Sequence, residues 1–448
     1  MSSLPTRFPD REEIAAVRAQ AEQLAPDEEG AEKHRLAGRV LGRRGHGKLV
    51  FLDLVDRSGQ IQLLCSADRV GEVHVDLGDI LGVTGSAFKT RRGEPSLNVD
   101  ELQLLAKIKR PLPDTFHGLV DAETRYRKRY LDLLVNEDTR RDFLARTRMV
   151  TAIRSYLDER GFVEVETPIL QPRYGGALAE PFVTHSNELD TDLYLRIADE
   201  LYLKRLIVGG LEKVYEIGKD FRNESISYKH QPEFTMLEWY EAYADYEDTM
   251  ARIEDLVATV AQQTIGTTKV SFRGHEADLK APWRRLKLVE ALKEEGVWTH
   301  DADDLRRRLS EREIDTGRDD TWAQLVDHAL SHLVEPKLSE PTILYDYPVE
   351  LSPLARRKEG EDGLVERFEY FVCGTELGNA YSELNDADEQ AARFAELGGE
   401  DPDYVEALSY GMPPTGGLGL GIDRLAMVLT GRETIRDVIL FPTLRPAE

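Results

Sequence analysis

The sequence has few cysteines, no long apolar run and no excess of positive charge. Its 2 cysteines, Cys65 and Cys373, are too few for a disulfide framework or a Cys-rich zinc site and are typical of a reducing compartment. The N-terminal stretch MSSLPTRFPDREE lacks an apolar core, and no run of about 18 apolar residues follows. The sequence therefore predicts neither a signal peptide nor a membrane span and favours a cytoplasmic protein.

The balance of charge is acidic. The 448 residues include 58 Lys and Arg against 83 Asp and Glu, for a formal net charge of −25. This excludes a uniformly basic nucleic-acid coat. A 41% share of apolar residues with 31% charged residues indicates a packed core rather than disorder, and the length predicts two or three domains.

The pattern along the chain predicts an α+β protein in several parts. Residues 1–34 are predicted to form an N-terminal helical arm, and residues 35–108 contain five β-type runs separated by turn signals, which favours a small barrel. The Pro-containing segment 109–116 is predicted to be a linker. Residues 117–448 show longer amphipathic helices and strands, with a helical insertion at about 250–340.

A basic segment interrupts the acidic composition. The stretch from Lys33 to Lys48 contains six Lys or Arg residues, among them Arg39, and no acidic residue. Phe51 follows beside Asp53 on a predicted strand. This combination favours docking of a phosphate backbone with a base stacked on the aromatic ring, the alternative being a solubilising charge run with a core Phe.

Polar residues recur at every second position in three predicted strands of the second domain. These are Arg222 and Glu224; Phe234, Glu238 and Tyr240; and Asn379, Tyr381 and Glu383. Period two places each set on one face of its strand, and core strands do not bury unpaired charge because its desolvation is expensive. The pattern favours a ligand-binding face over an internal ion-pair network.

Two further patterns indicate phosphate and cation binding. In GLGLGIDR, a Gly-rich strand leads into a helix with Asp423 as the candidate N-cap, and Arg424 falls in the first turn. A bound polyphosphate would explain a cation there, where the helix dipole disfavours one. Glu369 and Glu376 are flanked by apolar residues and could share a hard divalent cation or form structural ion pairs.

Together these segments resemble the class II lysyl-tRNA synthetase family. The resemblance runs from about residue 35 to residue 445 and is most specific in the segments RYRKRYLDL, GFVEVETPIL, LYLRIADELYLKRL, FRNE, HQPEFTMLEWYEAYADY, VELSPLARR, NAYSELND, GLGLGIDR and TIRDVILFP. It implies an N-terminal OB-fold barrel that binds the tRNA anticodon. It also implies a catalytic domain on an antiparallel sheet with flanking helices, and a homodimer formed through the segment that ends at Pro168.

The resemblance also implies the chemistry and the residues that perform it. The enzyme would use ATP and Mg²⁺ to activate L-lysine and transfer it to the 3' end of a lysine isoacceptor tRNA. Arg222 and Arg424 would be catalytic, and ATP would be bound by Arg222, Glu224, His230, Phe234, Glu369, Glu376 and Arg424, with Mg²⁺ on Glu369 and Glu376. Lysine would be bound by Gly176, Glu200, Glu238, Tyr240, Asn379, Tyr381 and Glu383, and the anticodon by Arg39, Phe51 and Gln62.

Four positions depart from the usual family pattern. Glu180 replaces a basic residue, Asp199 replaces Pro, Ser225 replaces Gly and Gln231 replaces Asn. Three hypotheses remain: a lysine–tRNA ligase; a paralogue that activates lysine or a related cationic amino acid for a non-tRNA acceptor; and a catalytically silent RNA-binding or regulatory protein. The silent protein is disfavoured because Arg222, Glu224, Glu369, Glu376 and Arg424 are all intact, and the barrel disfavours the paralogue.

Overall fold

The computed structural model describes residues 4–45, 48–113, 118–177, 179–317, 320–396 and 401–446. The chain divides into two compact units, Met1–Asn136 and Glu137–Glu448. None of the helices in the described part of the chain has the length and apolar character that a membrane crossing requires.

The N-terminal unit contains a closed five-stranded barrel, as predicted, with strand order β1-β2-β3-β5-β4. Its elements are α1 (Ile14–Gln23), β1 (Glu29–Arg44), β2 (Leu49–Val55), β3 (Gln60–Ser66), α2 (Ala67–Val70), β4 (Ile80–Lys89), β5 (Pro95–Ala106), α3 (Ala122–Arg127) and α4 (Arg129–Val135).

The predicted helical arm differs from the structure in its extent and its packing. The helix α1 covers only ten of its residues, and β1 already begins at Glu29. Ile14, Val17 and Ala21 of α1 are buried in the barrel core. The apolar face of α1 is covered by the barrel, so the described residues of the predicted arm, 4–34, are part of the barrel unit. Residues 114–117, which include part of the predicted linker, lie outside the described residues.

The second unit is built on a sheet of eight described strands in the order β14-β15-β16-β17-β18-β11-β10-β6. Its elements up to the end of the predicted insertion are α5 (Glu137–Asp158), β6 (Val163–Glu164), β7 (Leu170–Gln171), β8 (Val183–Ser186), β9 (Thr191–Leu195), α6 (Glu200–Val208), β10 (Lys213–Phe221), β11 (Glu233–Ala242), α7 (Tyr246–Ile265), β12 (Lys269–Phe272), β13 (His275–Asp278), β14 (Arg284–Lys287), α8 (Leu288–Glu294), α9 (Ala302–Ser310), α10 (Trp322–Ala329), a π-helical turn (Leu330–Val334) and a 3₁₀ turn (Glu335–Lys337). Then come β15 (Thr342–Pro348), a 3₁₀ turn (Val349–Leu351), β16 (Leu364–Val372), β17 (Thr375–Ser382), α11 (Ala387–Glu396), α12 (Pro402–Ser409), β18 (Thr415–Gly421), α13 (Ile422–Thr430) and α14 (Ile435–Val438).

The alternation along β11 divides the sheet into two faces. Leu237 and Trp239 are fully buried in a core that also contains residues of α5, α7 and α13. Glu238 and Tyr240 point to the opposite face. The main sheet is antiparallel except where β14 pairs with β15 and β10 pairs with β6. The polar face predicted from period two is thus the face opposite the helical core.

Three local predictions are wrong. The insertion at 250–340 is not wholly helical, because it contains the hairpin β12–β13 and the sheet-edge strand β14. Arg222 and Glu224 do not lie on a strand, because β10 ends at Phe221. Asp423 is not the N-cap of α13, since Gly421 occupies that position and Asp423 instead accepts a hydrogen bond from the Thr235 amide at 2.8 Å.

Candidate functional site

The polar face of the main sheet forms two adjoining cavities. The first is lined by Arg222, Glu224, Ser225, Lys229, His230, Gln231, Phe234, Thr235, Met236, Glu376, Leu377, Gly378, Asn379, Gly421, Asp423, Arg424 and Ile435. The second is lined by Tyr174, Gly175, Gly176, Ala177, Ala179, Ala198, Glu200, Leu201, Arg222, Met236, Glu238, Leu351, Pro353, Leu354, Arg367, Glu369, Glu376, Asn379, Tyr381, Phe394 and Asp401. Because Arg222, Glu376 and Asn379 line both, a ligand in one cavity can meet a ligand in the other at these side chains.

Cationic side chains occupy the first cavity. Arg222 follows the end of β10, where its amide donates to the Pro232 carbonyl at 2.9 Å, and its guanidinium lies over the Phe234 ring at 5.2 Å. Arg424 in the first turn of α13 donates to the Glu376 carboxylate at 2.8 Å. This arrangement supplies planar, multi-donor groups suited to phosphate.

His230 lies at the exposed rim of the same cavity, where its Nδ1 is 2.9 Å from the Ser227 hydroxyl. Desolvation, followed by the Arg424 and Lys229 cations, lowers the pKa of His230 to about 4. The imidazole is therefore neutral at pH 7 and can face a polyphosphate as a hydrogen-bonding group.

We expect the His230 ring protons to titrate near pH 4 in an NMR experiment on the free protein. A lowered histidine pKa means that stability present above the unfolded value of about 6.5 is lost as the pH falls toward 4. Replacing Arg424 with Gln should raise the pKa of His230. Titration of His230 near pH 6.5 would contradict this electrostatic description.

Two carboxylates meet where the cavities join. Glu369 on β16 accepts from Arg367 Nη2 at 2.6 Å, and Glu376 on β17 is held by Arg424. Burial, opposed by Arg367 and reinforced by Glu376, raises the pKa of Glu369 to about 7, whereas Arg424 outweighs burial and lowers the pKa of Glu376. Each carboxylate is paired with one arginine, and the oxygen donors of the two fit a hard divalent cation.

The second cavity is acidic on its inner wall. Glu238 accepts from the Tyr240 hydroxyl at 3.0 Å, and both residues are buried. Glu200 and Glu383 are bridged by Lys204, which is fully buried and lies 2.5 Å from Glu200. Despite burial, the pKa of Lys204 is raised by these two carboxylates, so the ammonium stays charged.

Glycines leave room for the side chains of this acidic wall. On the sheet face Glu238 pairs with Gly419 and Tyr381 with Gly417, and a Cβ at Gly417 would lie 2.0 Å from the Glu383 carboxylate. Gly176 has a φ of +88°, a conformation that favours glycine. A Cβ added at this position would lie 3.0 Å from the Cβ of Ala198.

The structure brings most of the predicted residues to the two cavities. Tyr240 and Glu383 do not line them, because Tyr240 lies behind Glu238 and Glu383 is paired with Lys204. Sequence reasoning missed Lys204, Lys229 and Arg367. Arg367 had a signal, since it alternates with Glu369 on one strand in the same period-two manner as the residues that were found.

The four departures from the family pattern lie in different environments. Ser225 and Gln231 line the first cavity, and the Gln231 side chain accepts from the Thr443 amide at 3.0 Å. Glu180 is exposed and does not line either cavity. Asp199 is completely buried next to the second cavity.

The barrel carries a separate polar face. Phe51 is half-buried and pairs with Arg44, while Asp53 pairs with Gln62. Arg44 donates to Gln62 Oε1 at 3.0 Å. Arg39 lies further along β1, opposite Val55, and donates to the Gly78 carbonyl at 2.7 Å. Phe51 and Gln62 thus share one patch. The arginine beside them is Arg44, whereas the sequence predicted Arg39.

Comparisons with known proteins identify the two units. Residues 121–445 match the family of tRNA synthetases class II (D, K and N), and residues 34–105 match the OB-fold nucleic acid binding domain. The chain is 51% identical over 445 residues to a lysine–tRNA ligase of Moorella thermoacetica, covering 94% of this chain and 91% of that protein.

Lysine–tRNA ligases of other organisms give similar results. The identity is 51% over 437 residues for Clostridium novyi and 50% over 431 residues for Halalkalibacterium halodurans, each match covering 92% of this chain and 86% of the relative. The chain therefore belongs to the class II tRNA synthetases and, within them, to the lysine–tRNA ligase family. The predicted family and fold class are confirmed.

Proposed function

We propose that the protein uses ATP to activate L-lysine as lysyl-adenylate and transfers the lysyl group to the 3' end of a lysine tRNA. The observation that carries this proposal is that a cation-lined cavity and an acid-lined cavity meet at Arg222. Such a junction can hold a nucleotide phosphate against the carboxylate of an amino acid with a cationic side chain. The names of the relatives agree with this reaction.

The charge of the second cavity supports lysine as the amino acid. Glu200, Glu238 and Glu383 supply three buried carboxyl groups against the single ammonium of Lys204, so two of them can each be matched by a further cation. Lysine brings two ammonium groups, and Glu238, Asn379 and Tyr381 line the space for its side chain, with the Tyr240 hydroxyl donating to Glu238 from behind. A neutral side chain would leave a buried carboxylate unpaired, which strongly disfavours its binding.

The first cavity supports ATP binding. Phe234 offers a ring face for adenine, Glu224 offers an acceptor for its exocyclic amine, and Arg424 and neutral His230 face the polyphosphate. Glu369 and Glu376 would hold Mg²⁺ with the phosphates. When bound, Mg²⁺ neutralises phosphate charge and assists departure of pyrophosphate.

Activation requires positioning more than proton transfer. A lysine carboxylate oxygen attacks the α-phosphorus of ATP, the new P–O bond forms, and the bond to pyrophosphate breaks. Arg222 contacts both the carboxylate and the α-phosphate in this proposal, so it aligns the reactants and stabilises the charge that develops on the phosphoryl oxygens. A ribose hydroxyl of tRNA then attacks the acyl carbon, and AMP leaves.

The barrel supports tRNA as the acceptor. Its strand β1 and the following turn are basic, and Phe51 presents a half-exposed ring next to Arg44 and Gln62. Single-stranded bases stack on such rings and hydrogen-bond to neighbouring polar groups. We assign anticodon contacts to Phe51 and Gln62, with Arg44 in place of the predicted Arg39 as the arginine beside them. The non-tRNA paralogue is not favoured, because the chain retains this nucleic-acid-binding unit.

We further propose a cytoplasmic homodimer. ATP and tRNA are cytoplasmic. The segment predicted to form the dimer interface exposes the apolar side chains of Leu144 and Val163, and the exposed Ile169 and Leu170 follow directly after its end at Pro168. Such side chains in one segment are typical of an interface. Light scattering after gel filtration should give twice the chain mass of 50.8 kDa, whereas a single chain mass would contradict the dimer.

Amino-acid-dependent ATP–pyrophosphate exchange tests the activation step. We expect exchange with L-lysine at least about 100-fold faster than with ornithine, arginine or β-lysine. Ornithine and β-lysine misplace an ammonium group relative to the carboxylates, and arginine replaces the side-chain ammonium with a larger guanidinium. Exchange driven by another member of this panel would overturn lysine as the substrate, and no exchange with any would overturn the enzymatic function.

The barrel can be tested separately from the active site. Replacing Phe51 with Ala should raise the KM for tRNA by about 5-fold to 100-fold, corresponding to loss of one base stack. Lysine-dependent exchange should stay unchanged, because exchange does not need tRNA. The matched control is Arg57→Ala, which removes an exposed barrel side chain. Equal charging by wild type and Phe51→Ala would contradict the assigned contact.

A further inference from the structure

Three buried carboxylates converge beside the second cavity. They belong to Asp199, Asp220 and Glu238, and one oxygen from each lies within 4.8 Å of the others. The side chains come from the segment before α6, from β10 and from β11. Asp199 and Asp220 are fully buried, and Glu238 is 6% exposed. This carboxylate cluster includes one of the departures from the family pattern.

The cluster is short of hydrogen-bond partners. Both carboxylate oxygens of Asp199 and both of Asp220 are buried without one. Asp199 occupies the N-cap position of α6 but makes no side-chain cap bond, although Asp is among the preferred capping residues. Its carboxylate instead faces the other two acids, an arrangement that costs free energy unless a cation lies between them.

The guanidinium nearest to the cluster, that of Arg196, makes its hydrogen bonds to other groups. Arg196 donates to Glu216 at 2.6 Å and to the carbonyl of Lys219 at 2.9 Å. It approaches Asp220 at 3.2 Å and Asp199 at 3.7 Å without a hydrogen bond to either. Arg196 offers one positive charge to three acids, Asp199, Asp220 and Glu216. Two negative charges are therefore left uncompensated, and Glu238 adds a third.

We propose that Asp199, Asp220 and Glu238 form a buried site for a hard divalent metal cation, distinct from the Glu369 and Glu376 pair. A divalent cation offsets two of these three negative charges, and a set of oxygen donors suits Mn²⁺, Mg²⁺ or Ca²⁺ better than softer ions. The metal neutralises the wall behind Glu238 and fixes that carboxylate next to the substrate ammonium.

The electrostatics of the cluster support this site. Burial is the first cause that raises the pKa of Asp199, and the Glu238 and Asp220 carboxylates raise it further. Burial also raises the pKa values of Asp220 and Glu238. Without a bound cation, the raised pKa values favour protonation of these three carboxyl groups. The cluster therefore contains either a metal cation or bound protons.

Manganese binding to the full-length chain separates these possibilities. The protein is stripped of metal, dialysed against Mn²⁺ without ATP, amino acid or tRNA, and its bound metal is measured by electron paramagnetic resonance and elemental analysis. We expect one Mn²⁺ per chain that is retained in Glu376→Gln and in the exposed control Glu72→Gln but lost in both Asp199→Asn and Asp220→Asn. Mn²⁺ should also raise the unfolding midpoint of wild type and not of Asp199→Asn.

Two results would overturn the site. One is equal Mn²⁺ stoichiometry in wild type, Asp199→Asn and Asp220→Asn. The other is an infrared band of a protonated carboxyl group, present in Mn²⁺-treated wild type and lost in Asp199→Asn, which would show that a proton occupies the cluster. Unfolding of each metal-free variant checks that it folds, and two independent Asn variants guard against one that does not. Because no substrate is present, the outcome does not depend on the proposed function.

Discussion

Replacing Arg222 with Ala should lower lysine-dependent ATP–pyrophosphate exchange by about 10²-fold to 10³-fold, the loss typical when one donor to developing charge is removed. Arg222 lines both cavities and is held over Phe234 at 5.2 Å. The other two guanidiniums of the cavities, those of Arg367 and Arg424, are paired with Glu369 and Glu376. The loss should therefore appear in kcat as well as in the KM values for ATP and lysine.

Two further variants test this explanation. Arg222→Lys keeps a positive charge but not the forked geometry, so its activity should be closer to that of Arg222→Ala than to wild type. Arg307→Ala removes an exposed arginine of α9 and should leave exchange unchanged. Exchange by Arg222→Ala within a few-fold of wild type would show that another group stabilises the reacting phosphate.

Replacing Lys204 with Met should lower the free energy of unfolding by about 3–5 kcal/mol, the usual effect of removing one partner from a buried ion pair. Lys204 is fully buried between Glu200 and Glu383, so its removal leaves two carboxylates without their cation. The same change should greatly weaken lysine binding, because the shape of the acidic wall depends on that bridge. Urea unfolding followed by tryptophan fluorescence measures the stability effect.

The chain provides a matched control for this prediction. Lys213 pairs with Glu241 at 2.8 Å, but its side chain is 35% exposed, and Lys213→Met should cost only about 0–1 kcal/mol. The double variant Lys204→Met/Glu383→Gln should be less destabilised than the sum of the two single variants. Equal effects of Lys204→Met and Lys213→Met would contradict a buried, charged bridge.

The sequence predicted those features that depend on local periodicity. The barrel was recognisable because short apolar runs alternate with turns, and the binding face because Glu238 and Tyr240 alternate with Leu237 and Trp239. The same reasoning failed where a short segment joins a distant strand: β14 has four residues and pairs with β15 more than 50 residues later. Its place in the main sheet is decided by tertiary pairing.

Long-range contacts also explain what was missed in the site. Lys204 lies in the helical segment ELYLKRL and has no local feature that distinguishes it from a surface lysine. Its partner Glu383 is about 180 residues away, so only the fold reveals the bridge. Likewise, Asp199 was recognised as unusual, but its approach to Asp220 and Glu238 depends on how the segment before α6 covers the sheet.

Charging of a lysine tRNA is the measurement that tests the central claim most directly. With purified protein, ATP, Mg²⁺, L-lysine and a lysine isoacceptor transcript, we predict lysyl-tRNA and AMP in equal amounts, and no product with a transcript whose anticodon has been replaced. Lysine-dependent pyrophosphate exchange without any acylated tRNA, under conditions in which a known lysine–tRNA ligase charges the same transcript, would contradict the proposed function.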